Sequence, residues 1–242
     1  MDNYIRKYNV KPLVSVIMTV YNEEKNIKRA LNSLLEQTYK NIEIIIIDDC
    51  SKDNTVKVIE DFFNNNSELK YTLIKKDENV GTYFNKNEAL NIAIGEFITF
   101  IDGDDEYLPK KIENELYALY TSTDKKLIVI SKFEERKGDE KRILDLFSGM
   151  LAHRDVFFKL CGKFYPTRFG GDWEYKLRLE KFYPKIAIFR NKIEYIAYVK
   201  EGTKSNLTSM YKKDIRQNFF KNINEEYTEK KHYWDNGEFK FL

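Results

Sequence analysis

The sequence predicts an α/β fold built on a doubly wound, mostly parallel sheet. Short apolar segments alternate with amphipathic segments of helical period through the first half of the 242 residues, and this alternation is typical of a sheet covered by helices on both faces. The apolar run at 42–47 has no polar alternation, as expected for a strand buried on both faces. A chain of this length can bury a sizeable core as one large domain.

The predicted elements follow one another closely along the chain. The predicted strands of the first half are 13–20, 42–47, 71–75 and 96–101, and the predicted helices are 23–37, 54–63, 85–94 and one that begins near Pro109. Proline is favoured in the first turn of a helix, which supports that start. In the second half we expect an apolar run at 127–130, a solvated loop at 134–142, helices at 154–160, 172–181 and 212–220, and strands at 186–189 and 193–199.

Composition excludes several classes of function. The chain has 41 Lys and Arg against 39 Asp and Glu, a net charge of +2, so we expect no nucleic acid partner. Its two cysteines are too few for a disulfide framework or a cysteine-rich zinc site, which favours a reducing compartment. We find no secretory signal and no apolar run of about 20 residues. The chain is therefore expected to be cytoplasmic, and any membrane contact to be peripheral.

Acidic residues follow two of the predicted strands. In open α/β sheets, ligands bind beyond the carboxyl ends of the strands, where this chain has the acidic segments 48–53 and 102–105. Carboxylates crowded in this way repel one another unless a cation or hydrogen-bond donors compensate them. Mg²⁺ and Mn²⁺ take oxygen ligands, and Mg²⁺ commonly adds substrate phosphates. The pattern indicates a diphosphate-bearing substrate, with an acidic turn that caps the next helix as the structural alternative.

The usual phosphate-binding loops are missing from the sequence. Neither G-x-G-x-x-G after the first strand nor G-x-x-x-x-G-K-[ST] occurs. The ordinary dinucleotide and P-loop cradles are thus excluded, and a metal held by carboxylates would have to bind the phosphates instead.

Four blocks in order resemble family 2 glycosyltransferases of the GT-A fold. The blocks are residues 14–23, 47–55, 79–98 and 102–105, and the similarity runs from about residue 13 to 105. The resemblance implies that Thr19, Tyr21 and Glu23 line the nucleotide pocket. It also implies that Asp49 contacts the base and Asp102 the ribose of a nucleotide-sugar donor, most simply a UDP-sugar.

The fourth block corresponds to the family's D-x-D motif. By the resemblance, Asp104 coordinates the Mn²⁺ or Mg²⁺ that bridges the donor diphosphate, and Gly103 belongs to the same donor-binding turn. Lys86 stands where the family usually has Arg and would contact the donor diphosphate, although Lys lacks the planar bidentate fork of Arg. A solvated Lys86 is the alternative.

The second half is expected to hold the acceptor. The segment 169–179 resembles the family's acidic block at the start of a helix, which makes Asp172 the candidate catalytic base. An inverting transfer needs a carboxylate to accept the proton of the attacking hydroxyl. The alternative for Asp172 is a helix N-cap. Residues 198–205 resemble a loop that closes over the diphosphate, with Lys200 or Lys204 in place of the family's His.

The sequence thus predicts a single GT-A domain over residues 1–242, with a nucleotide-sugar-binding half at 1–125 and an acceptor-binding half with a C-terminal extension at 126–242. The predicted activity is metal-dependent inverting transfer of a sugar to a hydroxyl of a glycan, lipid or protein. The alternatives are a retaining transferase, a nucleotidyltransferase and a catalytically degenerate sugar-binding or scaffold protein.

Overall fold

The structure is a computed structural model that describes residues 11–145, 147, 149–168, 170–199, 221, 232–235 and 238–241. The predicted terminal helix at 212–220 and the predicted closing loop beyond Val199 lie outside the described residues. No helix in the described ranges is long and apolar enough to cross a membrane.

The strands and helices predicted for the first half of the chain are all present. The strands are Val14–Val20 (β1), Ile42–Asp48 (β2), Lys70–Lys75 (β3), Phe97–Asp102 (β4), Glu106–Tyr107 (β5), Ile128–Lys137 (β6), Glu140–Asp145 (β7), Leu151–His153 (β8), Ala187–Tyr198 (β9), His232–Asp235 (β10) and Glu238–Phe241 (β11). The helices are Ile27–Leu35 (α1), Thr55–Asn64 (α2), Thr82–Ile92 (α3), Lys111–Thr121 (α4) and Gly171–Phe182 (α5), with a π-helical turn at Val156–Leu160.

Nine of the described strands form one sheet. Its order is β3-β2-β1-β4-β8-β6-β9-β5, with β7 paired to the side of β6. The pairings β3-β2, β2-β1, β1-β4 and β6-β9 are parallel, whereas β8, β5 and β7 pair antiparallel to their neighbours. The sheet is therefore mostly parallel, and β10 and β11 form a separate hairpin.

Helices cover both faces of the sheet, so the doubly wound prediction is confirmed. Alternate residues of β1 point to opposite faces: Val16 and Met18 belong to one apolar cluster and Ile17 to the other. The first cluster also contains buried residues of α1, α2 and α4. The second contains buried residues of α3, α5 and the π-helical turn.

Some predictions for the second half were wrong. The expected loop at 134–142 is a β-hairpin, in which β6 and β7 pair from Lys132 with Asp145 to Lys137 with Glu140. Its charged residues remain compatible with strands because both faces of this hairpin are at least partly exposed and bear ion pairs, such as Lys132 Nζ to Asp145 Oδ1 at 2.8 Å. Gly138 turns the chain with a φ of 55°.

The two strands expected at 186–189 and 193–199 are one continuous strand, β9. The polar residues between the two apolar runs lie where the register of the pairing between β9 and β6 shifts, so the strand continues through them. The expected helix at 154–160 is mainly the short π-helical turn, and α3 begins at Thr82, three residues before the predicted start.

A buried ion pair lies between α4 and the sheet. Lys111 Nζ is 2.6 Å from Glu115 Oε2, and both side chains are fully buried. Thr99 Oγ1 accepts a further hydrogen bond from Lys111 at 3.1 Å, and Ser131 Oγ donates one to Glu115 at 2.6 Å. Burial raises the pKa of Glu115, against the opposing effect of Lys111. Each charge depends on its partner, because an isolated buried charge is costly.

We expect Lys111→Met and Glu115→Gln each to lower the free energy of unfolding by about 3–5 kcal/mol, because each leaves one buried charge without its partner. The double variant, which has neither charge, should recover most of that loss. Urea denaturation measures all three. Glu60→Gln, which breaks the exposed pair with Lys75, is the control and should cost less than about 1 kcal/mol. A double variant as unstable as the sum of the single variants would contradict the coupling.

Candidate active site

The predicted donor-binding residues meet at the carboxyl ends of three neighbouring strands. Thr19 of β1 lies in register with Asp102 of β4 on one side and with Ile47 of β2 on the other. The Asp49 amide donates to the Val20 carbonyl at 2.9 Å, which extends the contact between β1 and β2 by one residue. Thr19 and Asp49 are both buried. The parallel pairing therefore brings these polar residues to one edge of the sheet, as the sequence predicted.

The loops after β1 and β2 are joined by hydrogen bonds. Asn22 and Cys50 both have left-handed backbones, with φ of 55° and 67°. The Asn22 amide donates to Ser51 Oγ at 2.9 Å, and the Lys52 amide donates to Asn22 Oδ1 at 2.8 Å. A left-handed backbone is strained for residues other than glycine, so these hydrogen bonds offset the backbone strain at Asn22 and Cys50. Tyr21 remains 43% exposed beside them.

Glu23 is buried at the start of the following segment. Its amide donates to Thr55 Oγ1 at 2.7 Å, and its carboxylate accepts a hydrogen bond from Asn26 at 3.0 Å. Glu23 is thus tied to α2 and to the first residues before α1. Tyr21 is the more accessible of these two predicted pocket residues.

Asp49 holds the loop that precedes α3. Its two carboxylate oxygens accept backbone N–H bonds from Val80 at 2.8 Å and Gly81 at 2.9 Å. Gly81 has a φ of 105°, and a Cβ there would lie 3.0 Å from Arg168. Arg168 in turn donates to the Asn79 carbonyl at 2.9 Å. The predicted base-contacting residue is therefore fixed by the same loop that reaches the second half of the chain.

Lys86 lies beneath the turn that follows β4. Its side chain is 1% exposed, and its Nζ is 3.0 Å from Asp102 Oδ1. The rings of Tyr83 and Phe100 lie within 5.8 Å of the ammonium. The alternative of a solvated Lys86 is therefore wrong. The sequence alone does not reveal this burial, because the charge of Lys86 is compensated by Asp102, which is distant along the chain.

Gly103 allows the turn to pack against β1. A Cβ at this position would lie 2.6 Å from Val20 Cγ1, closer than van der Waals contact. The turn thus requires glycine for the close approach of its backbone to β1.

The other two acidic residues of the turn have distinct surroundings. Asp104 is half-buried, and its carbonyl accepts a hydrogen bond from the Arg29 guanidinium, which stacks 3.7 Å from the Tyr198 ring. Asp105 is buried and accepts hydrogen bonds from Tyr195 Oη at 2.7 Å and from the Tyr198 amide at 3.1 Å. Burial, with the charges of Asp104 and Asp102, raises the pKa of Asp105 well above its usual range. Asp105 therefore ties the turn to β9.

The donor atoms of this turn fit a divalent cation bound partly by substrate. In the described parts of the chain, no three His, Cys, Asp or Glu side chains form a cluster able to hold a metal. The charges of Asp102 and Asp104 both act on Asp105, so negative charge is concentrated at the turn. A hard cation that uses one or two carboxylates and completes its shell with phosphate oxygens and water suits such a turn. Asp104, which is half-buried at this turn, is the residue that could hold it.

Asp172 lies in the first turn of α5. The N-cap of this helix is Gly170, with a left-handed φ of 71°, so the alternative that Asp172 is the N-cap is wrong. Its Oδ1 accepts a hydrogen bond from Tyr83 Oη at 2.8 Å. The structure thereby joins the candidate base to α3, the helix that also carries Lys86.

Tyr83 and Arg29 are site residues that the sequence did not single out. Tyr83 precedes Lys86 by three residues and therefore shares its face of α3, but the predicted helix began at 85 and left Tyr83 outside. Arg29 carries no local signal, because its contacts with Asp104 and Tyr198 come from distant parts of the chain.

One family model matches most of the chain, and the curated relatives are named as glycosyltransferases. A family model described as "Glycosyl transferase family 2" matches residues 15–194. The UDP-Glc:alpha-D-GlcNAc-diphosphoundecaprenol beta-1,3-glucosyltransferase WfaP of Escherichia coli is 40% identical over 109 residues, 45% of this chain and 42% of that protein. The GalNAc(5)-diNAcBac-PP-undecaprenol beta-1,3-glucosyltransferase of Campylobacter jejuni is 38% identical over 97 residues, 40% of this chain and 31% of that protein. The chain thus spans less than half the length of these curated relatives.

Solved structures share the fold. The S. aureus TarS fragment 1–349 in complex with UDP-GlcNAc superposes with a TM-score of 0.70 at 22% identity, covering 82% of this chain and 61% of that one. The mannosyltransferase PcManGT of Pyrobaculum calidifontis, in complex with GDP-Man and Mn²⁺, gives a TM-score of 0.65 at 20% identity over 80% of this chain and 59% of that one. The curled, mostly parallel sheet is the GT-A fold, and the chain belongs to glycosyl transferase family 2.

Proposed function

We propose that the protein is a metal-dependent inverting glycosyltransferase that moves a sugar from a UDP-sugar to a hydroxyl of a glycan, lipid or protein acceptor. One observation carries the proposal. Two successive turns of α3 contact Asp172 through Tyr83 and Asp102 through Lys86, so a donor-binding carboxylate and a candidate base flank the same helix. We assign residues 1–125 to the donor and 126–242 to the acceptor.

We infer that the base of the donor is uracil. An ionised carboxylate only accepts hydrogen bonds, so Asp49 suits the N3–H group of uracil and disfavours cytosine, whose N3 is an acceptor. Asp49 is held by Val80 and Gly81, which preorganises it for this contact. The Escherichia coli relatives named as using UDP-Glc support this choice. Thr19, Tyr21 and Glu23 would line the remainder of the nucleotide pocket.

The donor diphosphate is assigned to the turn after β4. Asp102 would bind the ribose, and Gly103 would let the backbone approach the donor. Asp104 would hold Mn²⁺ or Mg²⁺ against the diphosphate, where the metal supplies stabilisation of the leaving charge. Lys86 would act on this site through Asp102: it orients the Asp102 carboxylate and reduces the net negative charge near the diphosphate. This role replaces direct contact of Lys86 with the diphosphate.

Asp172 is assigned as the general base of a direct displacement. The acceptor oxygen forms a bond to the anomeric carbon of the sugar while the bond from that carbon to the diphosphate oxygen breaks. The electron pair of the broken bond leaves with the nucleoside diphosphate, and the acceptor proton moves to the Asp172 carboxylate. Attack from the face opposite the leaving group inverts the anomeric configuration.

A lipid-linked acceptor is the class that the relatives favour. Several are named for acceptors carried on diphosphoundecaprenol, so N-acetylglucosamine α-linked to a lipid diphosphate is a suitable first acceptor to test. Such an acceptor would require peripheral contact with a membrane surface.

We expect release of UDP from UDP-glucose, with this acceptor, to need Mn²⁺ or Mg²⁺ and to stop when EDTA is added. Asp104→Ala should lower kcat about 100-fold or more, because the charge on the leaving diphosphate loses its stabilisation. A panel of UDP-glucose, UDP-GlcNAc and GDP-mannose, followed by release of free nucleotide, measures this. Asp61→Ala, at an exposed position on α2, is the control and should keep full activity. Turnover without metal, or a fully active Asp104→Ala variant, contradicts the mechanism.

The base preference is tested by nucleotide binding. With Mn²⁺ present, UDP should bind about tenfold or more tightly than CDP, because the Asp49 carboxylate leaves the cytosine N3 acceptor unpaired. Asp49→Asn, whose amide can donate to cytosine, should reduce the ratio of the two affinities even though it weakens both. Isothermal titration calorimetry measures the ratio. Equal affinities of the native protein for UDP and CDP would remove Asp49 from base recognition.

The stereochemistry of the product is a separate prediction. UDP-α-glucose should give a β-glycosidic bond, since direct displacement inverts the anomeric centre. Proton NMR of the isolated product distinguishes the two configurations by the coupling of the anomeric proton. An α-linked product would favour the retaining alternative.

A further inference from the structure

Tyr83 connects the two halves of the proposed site. It lies in the first turn of α3, in the half assigned to the donor, and its Oη donates to Asp172 Oδ1 at 2.8 Å in the other half. Tyr83 is 7% exposed and Asp172 is half-buried, so this hydrogen bond is partly screened from solvent. Tyr83 is therefore in direct contact with the proposed base.

Close packing fixes the ring of Tyr83. A Cβ at Gly171 would lie 2.6 Å from two of its ring carbons, so the ring lies directly against the backbone at the start of α5. The Phe164 ring packs on it with a centroid distance of 5.4 Å. Because the ring cannot shift without moving α5, its hydroxyl has a fixed position relative to Asp172.

The hydroxyl of Tyr83 acts as a hydrogen-bond donor and not as a base. Burial, together with the charges of Asp172 and Asp102, raises the pKa of Tyr83 well above its usual range. The phenol therefore keeps its proton. Its hydrogen bond occupies Asp172 Oδ1, which leaves Oδ2 as the oxygen to accept the proton of an acceptor hydroxyl.

A carboxylate in the first turn of a helix has a competing orientation. The first N–H groups of a helix have no partner within it and attract carboxylates. Gly170, the N-cap of α5, provides no side-chain cap for them. The bond from Tyr83 favours the orientation of Asp172 toward α3 over one folded back onto its own helix.

We propose that Tyr83 is a positioning residue for sugar transfer: it holds Asp172 Oδ1 so that Oδ2 faces the acceptor hydroxyl. Helix α3 then fixes the distance between Asp172 and the donor site. Lys86, one turn further along the same helix, contacts Asp102 at 3.0 Å, so α3 fixes both carboxylates at once. This inference rests on the proposed function, in which Asp172 is the base.

Tyr83→Phe tests the inference because it removes the hydroxyl and keeps the ring. With UDP-glucose and N-acetylglucosamine α-linked to a lipid diphosphate, we expect kcat to fall about 10- to 100-fold, the effect of a misplaced base. KM for UDP-glucose and the affinity for UDP with Mn²⁺ should stay within about twofold, because Tyr83 is not assigned to the donor pocket. Tyr39→Phe is the matched control: Tyr39 is also 7% exposed, and its hydroxyl bonds the Pro12 carbonyl. Its kcat should be unchanged.

A double-mutant cycle separates positioning from general stability. In the Asp172→Asn background, Tyr83→Phe should cause no further loss beyond about twofold, because the group it positions can no longer accept a proton. A further loss equal to that seen in the native protein overturns the inference, as does a kcat of Tyr83→Phe within twofold of native. A fall in UDP affinity that accounts for the fall in rate also overturns it. Full activity of Asp172→Asn alone would instead remove Asp172 as the base and leave the family assignment intact.

Discussion

The ion pair between Lys86 and Asp102 is the interaction on which the arrangement of the site depends. Lys86 is 1% exposed and its ammonium lies beside aromatic rings, with the Asp102 carboxylate 3.0 Å away. A buried charge without a partner would shift its protonation or destabilise the fold. The pair therefore holds α3 and the end of β4 in one relative position. The position of the turn that begins at Asp102 is fixed by the same contact.

The first turn of α3 extends this constraint to the other parts of the site. The N–H groups of Val80 and Gly81, just before the helix, hold Asp49 at the end of β2. Tyr83, one turn before Lys86, reaches α5. The carboxylates of Asp49, Asp102 and Asp172, from three separate segments, are thus all held by α3 and the residues just before it. Such support suits a site that must keep reacting groups within a fraction of an ångström.

The sequence was sufficient for the parts of the fold that depend on local periodicity and on the ends of strands. Runs such as 42–47 and the acidic segment at 102–105 carry their own pattern, and the parallel sheet brings the strand ends together without further information. The burial of Lys86 could not be predicted in this way, because it depends on Asp102, sixteen positions further along. The hairpin at 132–145 was missed because strands with both faces at least partly exposed lack the apolar alternation that reveals half-buried strands.

The start of α3 shows how a small error in an element's bounds can hide a functional residue. The helix begins at Thr82, after Gly81 with its φ of 105°, and no side-chain cap marks the place. A start three residues later removes Tyr83 from the face it shares with Lys86. The contacts of Arg29 with Asp104 and Tyr198 are likewise set by tertiary packing, to which local sequence is insensitive.

The contact between Gly171 and Tyr83 has a consequence for how this sequence can change over time. No side chain fits at position 171 while the ring lies 2.6 Å from where a Cβ would be. A homologue with a larger residue at 171 must therefore have a smaller residue than tyrosine at 83. Such a homologue lacks the hydroxyl that donates to Asp172. The two positions are expected to covary in an alignment, with an aromatic residue at 83 restricted to chains that keep glycine at 171.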